Sequence, residues 1–195
     1  MYRQLKFNVG KEEATRLSAE MYDYTLGIND ATKLLVNYCW ALSGIPLVLN
    51  GRDGSPKCMP PKHMHSYISM LAGEVHILSN NFLAGAVAVP TLFLDSARIL
   101  LMDGYTLENL TEDKVVRKYV ENLFQQFVHD VNDPSRNSAE SPFTNVSLFG
   151  GYKLRGILED LAWYYDDTGY DLDYIHSFVM ELQNIYMDFV DKGDP

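Results

Sequence analysis

The two cysteines, Cys39 and Cys58, are the side chains in this sequence best suited to redox or radical chemistry. Cys39 lies between Tyr38 and Trp40 in the apolar run LLVNYCWAL. Burial in apolar surroundings raises the pKa of a thiol and keeps it protonated. A protonated thiol is a weak nucleophile, but it can donate a hydrogen atom or an electron. From these residues alone, the favoured interpretation of Cys39 is a residue that fills core volume.

Cys58 has a different setting. It follows Lys57 in a segment rich in glycine and proline, so we expect it to be more accessible and more easily ionised than Cys39. Nothing in the neighbouring residues assigns Cys58 a role.

Several common kinds of catalytic or phosphate-binding site lack their sequence patterns. No GxGxxG follows a strand, and the Gly10-Lys11 pair lacks the earlier glycine of a Walker A loop. Serine, histidine and aspartate do not occur in an arrangement typical of a nucleophile elbow or a catalytic triad. Nucleotide binding through these two loops and hydrolysis by a triad are therefore not predicted.

Metal binding is not predicted either. His63, His65 and His76 are not accompanied by CxxC or HxxxH spacing, which favours surface or capping histidines over zinc ligands. The aspartates between Asp166 and Asp173 do not fit the twelve-residue calcium loop with its terminal glutamate. Helix capping and a solvated turn explain these aspartates.

Composition and charge exclude further classes. Hydrophobic residues make up 47% of the 195 residues and charged residues 22%, as in an ordinary folded protein. The net charge of −10 would repel a phosphate backbone, so we expect no binding to DNA or RNA. The first residues lack the apolar stretch of a secretion signal, and the uncharged windows are shorter than the ~20 residues of a membrane span. We therefore expect a cytoplasmic protein with reduced thiols and no membrane contact.

The spacing of apolar residues predicts a mainly helical α/β chain. Strand is favoured over a continuing helix for residues 34–42, and alternation predicts a second strand over 143–149. Turn residues predict loops at 50–61 and 132–141, and the small residues of 84–89 permit close packing of backbones. Helices are predicted over residues 11–26, 62–83, 111–131, 153–165 and 173–190.

Three segments, taken in order and with their spacing, resemble a known family. Residues 141–148 read SPFTNVSL, residues 79–86 read SNNFLAGA after a helix that begins at Pro61-Lys62, and residues 37–46 read NYCWALSGIP. Together they are similar to the N-terminal half of the catalytic subunit of anaerobic ribonucleoside-triphosphate reductases, the glycyl-radical class of ribonucleotide reductase. The likeness spans residues 31–195.

The resemblance implies a fold and a division of the chain. Residues 31–195 would form an incomplete half of a ten-stranded α/β barrel with packed helices, preceded by an N-terminal helical segment at residues 1–30. The helix at 62–83 would be the element that packs against a second copy in a homodimer and helps to bind a deoxynucleotide effector.

The resemblance also implies roles for four residues. In this family a glycyl radical generates a thiyl radical that takes the ribose 3′ hydrogen, the 2′ hydroxyl leaves as water, and a thiol on a neighbouring strand helps to reduce the intermediate. Cys39 stands at the position of that last thiol. Ser141 and Asn145 are candidates for substrate binding, with strand packing and capping as the plain alternative. Lys62 is a candidate contact to an effector phosphate, or else a solvated lysine at a helix start.

The chain also departs from the family. It has no ATP-cone, no His-x-His-Asp-like stretch in residues 1–32, and none of the later motifs: the thiyl-forming cysteine loop, the four-cysteine zinc site and the glycyl-radical loop. We therefore expect no cofactor held by this chain, with the glycyl radical and zinc carried by a C-terminal reductase chain as partner. A ribonucleoside triphosphate and a deoxynucleotide effector would be the ligands.

Two alternatives stand beside the reductase interpretation. The chain could be a non-catalytic remnant or regulatory subunit that binds deoxynucleotide effectors. It could instead be an unrelated acidic helical interaction module.

Overall fold

Helices dominate the chain and its strands are short, as the spacing of apolar residues predicts. The computed structural model describes residues 2–23, 39–53, 57–81, 85–134 and 141–193. In chain order the elements are α1 (Tyr2–Val9), α2 (Lys11–Tyr22), β1 (Cys39–Ala41), α3 (Ile45–Asn50), α4 (Met64–Asn81), β2 (Ala86–Val89), α5 (Leu92–Met102), α6 (Leu107–Glu112), α7 (Lys114–Asn132), β3 (Phe143–Val146), α8 (Gly151–Asp160), α9 (Ala162–Tyr165) and α10 (Leu172–Lys192).

The chain divides into two compact units, Met1–Asn37 and Tyr38–Pro195. In the first unit, α1 and α2 pack against each other, and the hydroxyl of Tyr2 lies 3.1 Å from that of Thr15. On the exposed side of α2, Arg16 pairs with Glu13 and Glu20, three and four residues away. The boundary predicted between residues 30 and 31 lies outside the described residues.

In the second unit the described strands form one parallel sheet in the order β1-β2-β3. The register pairs Cys39 with Ala86 and Ala86 with Phe143. Parallel neighbours need crossover connections, and here helices supply them. The pair α3 and α4 connects β1 to β2, and α5, α6 and α7 connect β2 to β3.

The core lies where α4, α5, α7 and α10 meet. Phe93 of α5 sits edge-to-face against Phe124 of α7 and Tyr186 of α10, with ring centroids 5.5 and 5.3 Å apart. The phenylalanine rings are fully buried, so this three-helix contact removes a large apolar area from water. Helical spacing predicts the apolar stripe of α10 and most of that of α7, but Val115 and Tyr119, which it also placed on the α7 stripe, are exposed.

Several boundaries differ from the sequence-based predictions. The helix predicted over 111–131 is interrupted at Asp113, whose carboxylate accepts the backbone N–H of Val115 at 2.8 Å and so caps α7. The strand predicted over 143–149 ends at Val146, and beyond it the N–H of Phe149 donates to the side chain of Gln183 on α10.

Other elements were not predicted or are described only in part. Helices α3 and α5 had no counterpart in the prediction, and residues 86–89 of the predicted small-residue segment form the central described strand. The helix predicted over 153–165 is divided into α8 and α9. Residues 24–38, 54–56, 82–84 and 135–140, which contain parts of the predicted first helix, first strand and loops, lie outside the described residues. Among the helices that are described, none is both long and apolar enough to cross a bilayer.

Candidate functional site

The parallel register divides the sheet into two faces. Side chains alternate along a strand, and paired residues of neighbouring strands point to the same side. One side, here called the open face, carries Cys39, Ala41, Ala86, Ala88, Phe143 and Asn145. The other, the buried face, carries Trp40, Val87, Val89, Thr144 and Val146.

The two faces differ in exposure. Val87 and Val89 on the buried face are fully buried, and Trp40 packs against the core. On the open face Phe143 is 76% exposed and Asn145 is also exposed. Cys39 and Ala41 on this face are exposed too, and Ala86 and Ala88 of the middle strand are half-buried.

Cys39 is exposed, so the expectation of a buried thiol in an apolar slot is wrong for this chain. Cys58 is only partly exposed, so the expectation that it is the more accessible cysteine is wrong too. The physical reason is the alternation of the strand: the apolar run containing Cys39 buries Trp40 in part and turns Cys39 to the other side. Among the described strands, β1 lies at the edge of the sheet and has only β2 as a neighbour. The apolar run around Cys39 predicts a strand that is buried on both of its faces, whereas β1 is partly buried only on the face that carries Trp40.

The other candidate residues fall in two places. Asn145 lies on the open face, opposite Ala88 and two strands away from β1, so the fold brings it to the same surface as Cys39. Ser141 is half-buried and precedes β3 by two residues, at the N-terminal end of that strand. Lys62 lies elsewhere, just before α4.

Lys62 is exposed and borders a cavity of about 370 Å³. His63 and Asp103, which also line this cavity, pair with each other across 2.9 Å. Arg98 also lines the cavity and binds both carboxylate oxygens of Asp167, at 2.5 and 2.7 Å. The lining is mixed, because Val48, Pro61, Ile99 and Met102 add apolar surface, and the guanidinium of Arg98 is already held by a carboxylate.

A buried carboxylate lies behind the sheet, and sequence reasoning missed it. Asp95 in the first turn of α5 is fully buried, and its two oxygens accept hydrogen bonds from the hydroxyls of Tyr67 (2.8 Å) and Tyr164 (2.7 Å). Burial raises the pKa of Asp95 to about 6, and the hydrogen bonds from Thr91, Tyr164 and Tyr67 limit the rise. An acidic residue inside the apolar stretch 91–101 was the only sequence signal for this cluster.

One of the aspartates near α9 caps a helix as predicted. Asp171 caps α10 by accepting the backbone N–H of Tyr174 at 2.8 Å. Asp167 instead pairs with Arg98, which was not predicted. Among the described residues, no three histidine, cysteine or acidic side chains lie close enough together to hold a metal ion.

Comparison with protein families identifies the chain. Residues 19–187 match the family model described as anaerobic ribonucleoside-triphosphate reductase. The chain belongs to this family. The match includes the strand of Cys39, the three-stranded sheet and most of α10, and it overturns the alternative of an unrelated acidic helical module.

Solved structures of anaerobic ribonucleotide reductase share the fold. The enzyme from Thermotoga maritima in complex with dATP and CTP is 23% identical, with a TM-score of 0.75 over 98% of this chain and 32% of that one. The same enzyme with dATP bound in the specificity site gives 23% identity, a TM-score of 0.74 and the same coverage. With citrate in the active site the identity is 24% and the TM-score 0.75, over 98% of this chain and 33% of that one.

The chain thus spans about a third of the length of the reductase structures it matches. A search of curated proteins finds no match.

Proposed function

We propose that this chain supplies part of the barrel of an anaerobic ribonucleoside-triphosphate reductase and contributes the thiol of Cys39 to the reduction of ribonucleotides. The observation that carries the proposal is the open face, where a thiol and an amide lie exposed on a parallel sheet. Parallel sheets are almost always covered on both faces. A sheet with one bare face is expected to be completed by further protein.

In this proposal the sheet is one portion of the ten-stranded barrel, and the open face is the interior of that barrel. A C-terminal reductase chain would supply the cover, the thiyl-forming cysteine, the glycyl radical and the zinc site. The small side chains of Ala41, Ala86 and Ala88 support this arrangement, because they leave room above the sheet for another segment and a nucleotide.

Docking of that cover would give Cys39 the dry surroundings that it lacks in this chain alone. Excluding water keeps the thiol protonated, so that it can give a hydrogen atom to the sugar intermediate. The amide of Asn145 can both donate to and accept from ribose hydroxyls on the same face. Ser141, at the start of the strand, is assigned to substrate binding with it.

The cavity beside Lys62 is the proposed effector-binding region. The ammonium group of Lys62 is suited to a phosphate contact. Dimerisation through the helix at 62–83 would have to use the exposed side chains His65, Ser66 and Ser69 of α4, because its apolar stripe is already buried in the core.

A regulatory, non-catalytic subunit is the second candidate function. The cavity beside Lys62 is the observation that favours it. Such a subunit would bind a deoxynucleotide without taking part in chemistry.

The catalytic proposal is tested by reconstitution. The chain is combined under anaerobic conditions with a C-terminal reductase chain, and conversion of ribonucleoside triphosphate to deoxynucleotide is measured for the wild type, Cys39→Ala and the matched control Cys58→Ala. We expect loss of at least 100-fold in turnover for Cys39→Ala, since the reducing thiol is gone, and near-normal turnover for Cys58→Ala. Full turnover by Cys39→Ala would remove the proposed role.

Access to the thiol gives a second test. In a Cys58→Ala background, iodoacetamide should alkylate Cys39 readily in the chain alone and at least ten times more slowly when the C-terminal chain is bound. Equal rates in the two states would mean that the open face is not the one covered.

Effector binding separates the two functions. Lys62→Ala should weaken dATP binding at least fivefold in calorimetry, whereas Lys153→Ala, which removes an exposed lysine on α8, should not. The regulatory function would be supported by dATP binding that is unchanged in Cys39→Ala, together with no turnover in the presence of any C-terminal chain.

A further inference from the structure

The buried carboxylate of Asp95 joins three separate parts of the fold to one turn. Tyr67 comes from α4 and Tyr164 from α9, and each donates its hydroxyl hydrogen to one carboxylate oxygen. Gly44, in the turn that follows β1, lies so close that an added Cβ would clash with both the Asp95 carboxylate and the Tyr67 hydroxyl. The cluster therefore packs directly on the backbone of that turn.

The same turn is fixed by a second contact. The backbone N–H of Gly44 donates to the Thr91 hydroxyl across 2.7 Å, and this bond is buried. Thr91 is also the N-cap residue of α5, four positions before Asp95. Leu42, two residues ahead of Gly44, donates its N–H to Ala88 of β2 at 2.8 Å. The backbone from Cys39 to Gly44 is thus held between the neighbouring strand and the Asp95 cluster.

The hydrogen bonds match the ionised carboxylate. Both tyrosines donate, one to each oxygen, and a carboxylate accepts both. A protonated Asp95 would carry a hydrogen that itself needs an acceptor, among Thr91, Tyr67 and Tyr164 hydroxyls that now donate, so the hydrogen bonds around the carboxyl group would rearrange. Because Gly44 lies against the Tyr67 hydroxyl, that rearrangement would reach the turn.

We propose that Asp95 is a positioning residue, whose carboxylate, held by Tyr67 and Tyr164, fixes the Gly44 turn and through it the position of Cys39 on the open face. The significance of Cys39 rests on the proposed function, whereas the coupling between Asp95 and the strand does not. Asp95 acts through the backbone and touches neither thiol nor substrate.

The groups that influence Asp95 come from each element packed around it. Hydrogen bonds from Thr91, from Tyr164 of α9 and from Tyr67 of α4 stabilise the charged form, and Arg98 of α5 does so by its charge. Tyr165 of α9 donates to the carbonyl of Leu94 at 2.9 Å instead. Helix α3, with the sequence IPLVLN, brings no ionisable side chain. Because the pKa of Asp95 is raised to about 6, the coupling between Asp95 and the Gly44 turn would change with pH near this value.

Nuclear magnetic resonance on the isolated, isotope-labelled chain tests the coupling. The side-chain carboxyl carbon of Asp95 and the backbone amides of Gly44 and Cys39 are followed from pH 4.5 to 8. We expect all three signals to titrate with one midpoint. In Asp95→Asn the amide titrations should disappear.

Conservative tyrosine variants supply the control, and they keep the proposal testable if Asp95→Asn does not fold. Tyr67→Phe removes a donor to the carboxylate and should raise the shared midpoint by at least half a pH unit. Tyr165→Phe removes a neighbouring buried hydroxyl that bonds elsewhere, and the midpoint should move by less than 0.3 unit.

Two results would overturn the proposal. One is a titration of Asp95 that the amides of Gly44 and Cys39 do not follow, and the other is an equal midpoint shift in Tyr67→Phe and Tyr165→Phe. Neither result depends on turnover, so failure of the coupling is distinguishable from failure of the catalytic role, which the Cys39→Ala reconstitution tests.

Discussion

The two faces of the sheet are made from the same three strands but from different residues. The buried face carries branched and aromatic side chains such as Val87, Val89 and Trp40, which pack on the core. The open face carries Cys39, Asn145 and several alanines. One face contributes apolar burial and the other contributes groups that can react or form hydrogen bonds.

In one parallel sheet, alternate residues can therefore be buried for stability or leave reactive and polar groups exposed. A step of one residue along a strand moves a substitution from one face to the other. Substitutions at neighbouring residues of β2 therefore compare the two faces directly, because these residues share a strand and lie at almost the same depth in the sheet.

The largest expected effect comes from placing a charge on the buried face. Val89→Asp puts a carboxylate in a fully buried site that offers no partner of its own. We expect a loss of about 4 kcal/mol or more in the free energy of unfolding, or failure to fold, because an unpaired charge loses its hydration. Urea denaturation followed by circular dichroism measures it.

Ala88→Asp is the matched variant on the open face. Ala88 is half-exposed, so its carboxylate stays hydrated and the loss should be below about 1 kcal/mol. Similar losses for the two variants would show that the faces do not differ in the way described.

The second effect extends the comparison to the Asp95 cluster that supports β1. The pKa of Asp95 is raised from its ordinary 3.8 to about 6, so the folded chain binds more protons than the unfolded chain in this range. Its contribution to stability is therefore fully present below pH 3.8 and is lost as pH rises through 6. Relative to Asp95→Asn, the free energy of unfolding should fall by about 3 kcal/mol across this window.

The control for this pH dependence is Asp167→Asn. Arg98 lowers the pKa of the exposed Asp167, so its small contribution is present at neutral pH and is lost on acidification, the opposite sign. Urea denaturation at intervals from pH 4 to 7 gives the free energy of unfolding of each variant. If that free energy changed with pH in the same way for the wild type and Asp95→Asn, the assigned pKa shift of Asp95 would be contradicted.

The third effect is steric and tests the turn between β1 and α3. Gly44→Ala would place a methyl group against the carboxylate of Asp95 and the hydroxyl of Tyr67, and we expect a loss of about 2 kcal/mol from overpacking. Gly156→Ala in α8 meets no atom within 4 Å and should stabilise the chain by up to about 1 kcal/mol, because alanine favours helix. Thermal unfolding of both variants gives the comparison, and a neutral Gly44→Ala would mean that the turn has room to move.

Sequence reasoning succeeded for helices that bury one continuous face, because the spacing of apolar residues along the helix shows that face. The apolar positions of α7 and α10 recur at helical spacing, because each helix packs one stripe on the core. The same reasoning missed the end of α6, because the role of Asp113 as a cap depends on hydrogen bonds that spacing does not reveal.

Sequence reasoning was less successful where contacts are made by residues far apart in the chain. The exposure of Cys39 depends on which strands flank β1 and on what covers them, and neither can be deduced from a local apolar run. The Asp95 cluster was missed because Tyr67 and Tyr164 are 28 and 69 residues away in sequence. The family resemblance, which rests on three segments in order, was the only sequence-based reason to place Cys39 and Asn145 in the same site.

The smallest expected effect tests the open face itself. Phe143→Ala removes an aromatic ring that is 76% exposed, so stability of the chain alone should change by less than about 0.5 kcal/mol. Phe93→Ala, the same substitution in the three-helix contact, should lose about 3–5 kcal/mol. If the open face is where a C-terminal reductase chain docks, Phe143→Ala should also weaken that complex at least tenfold in a calorimetric titration, since a ring bare in one state becomes buried in the other. A large loss of stability in the isolated chain would instead mean that this face is already covered, and the reason for seeking a partner there would disappear.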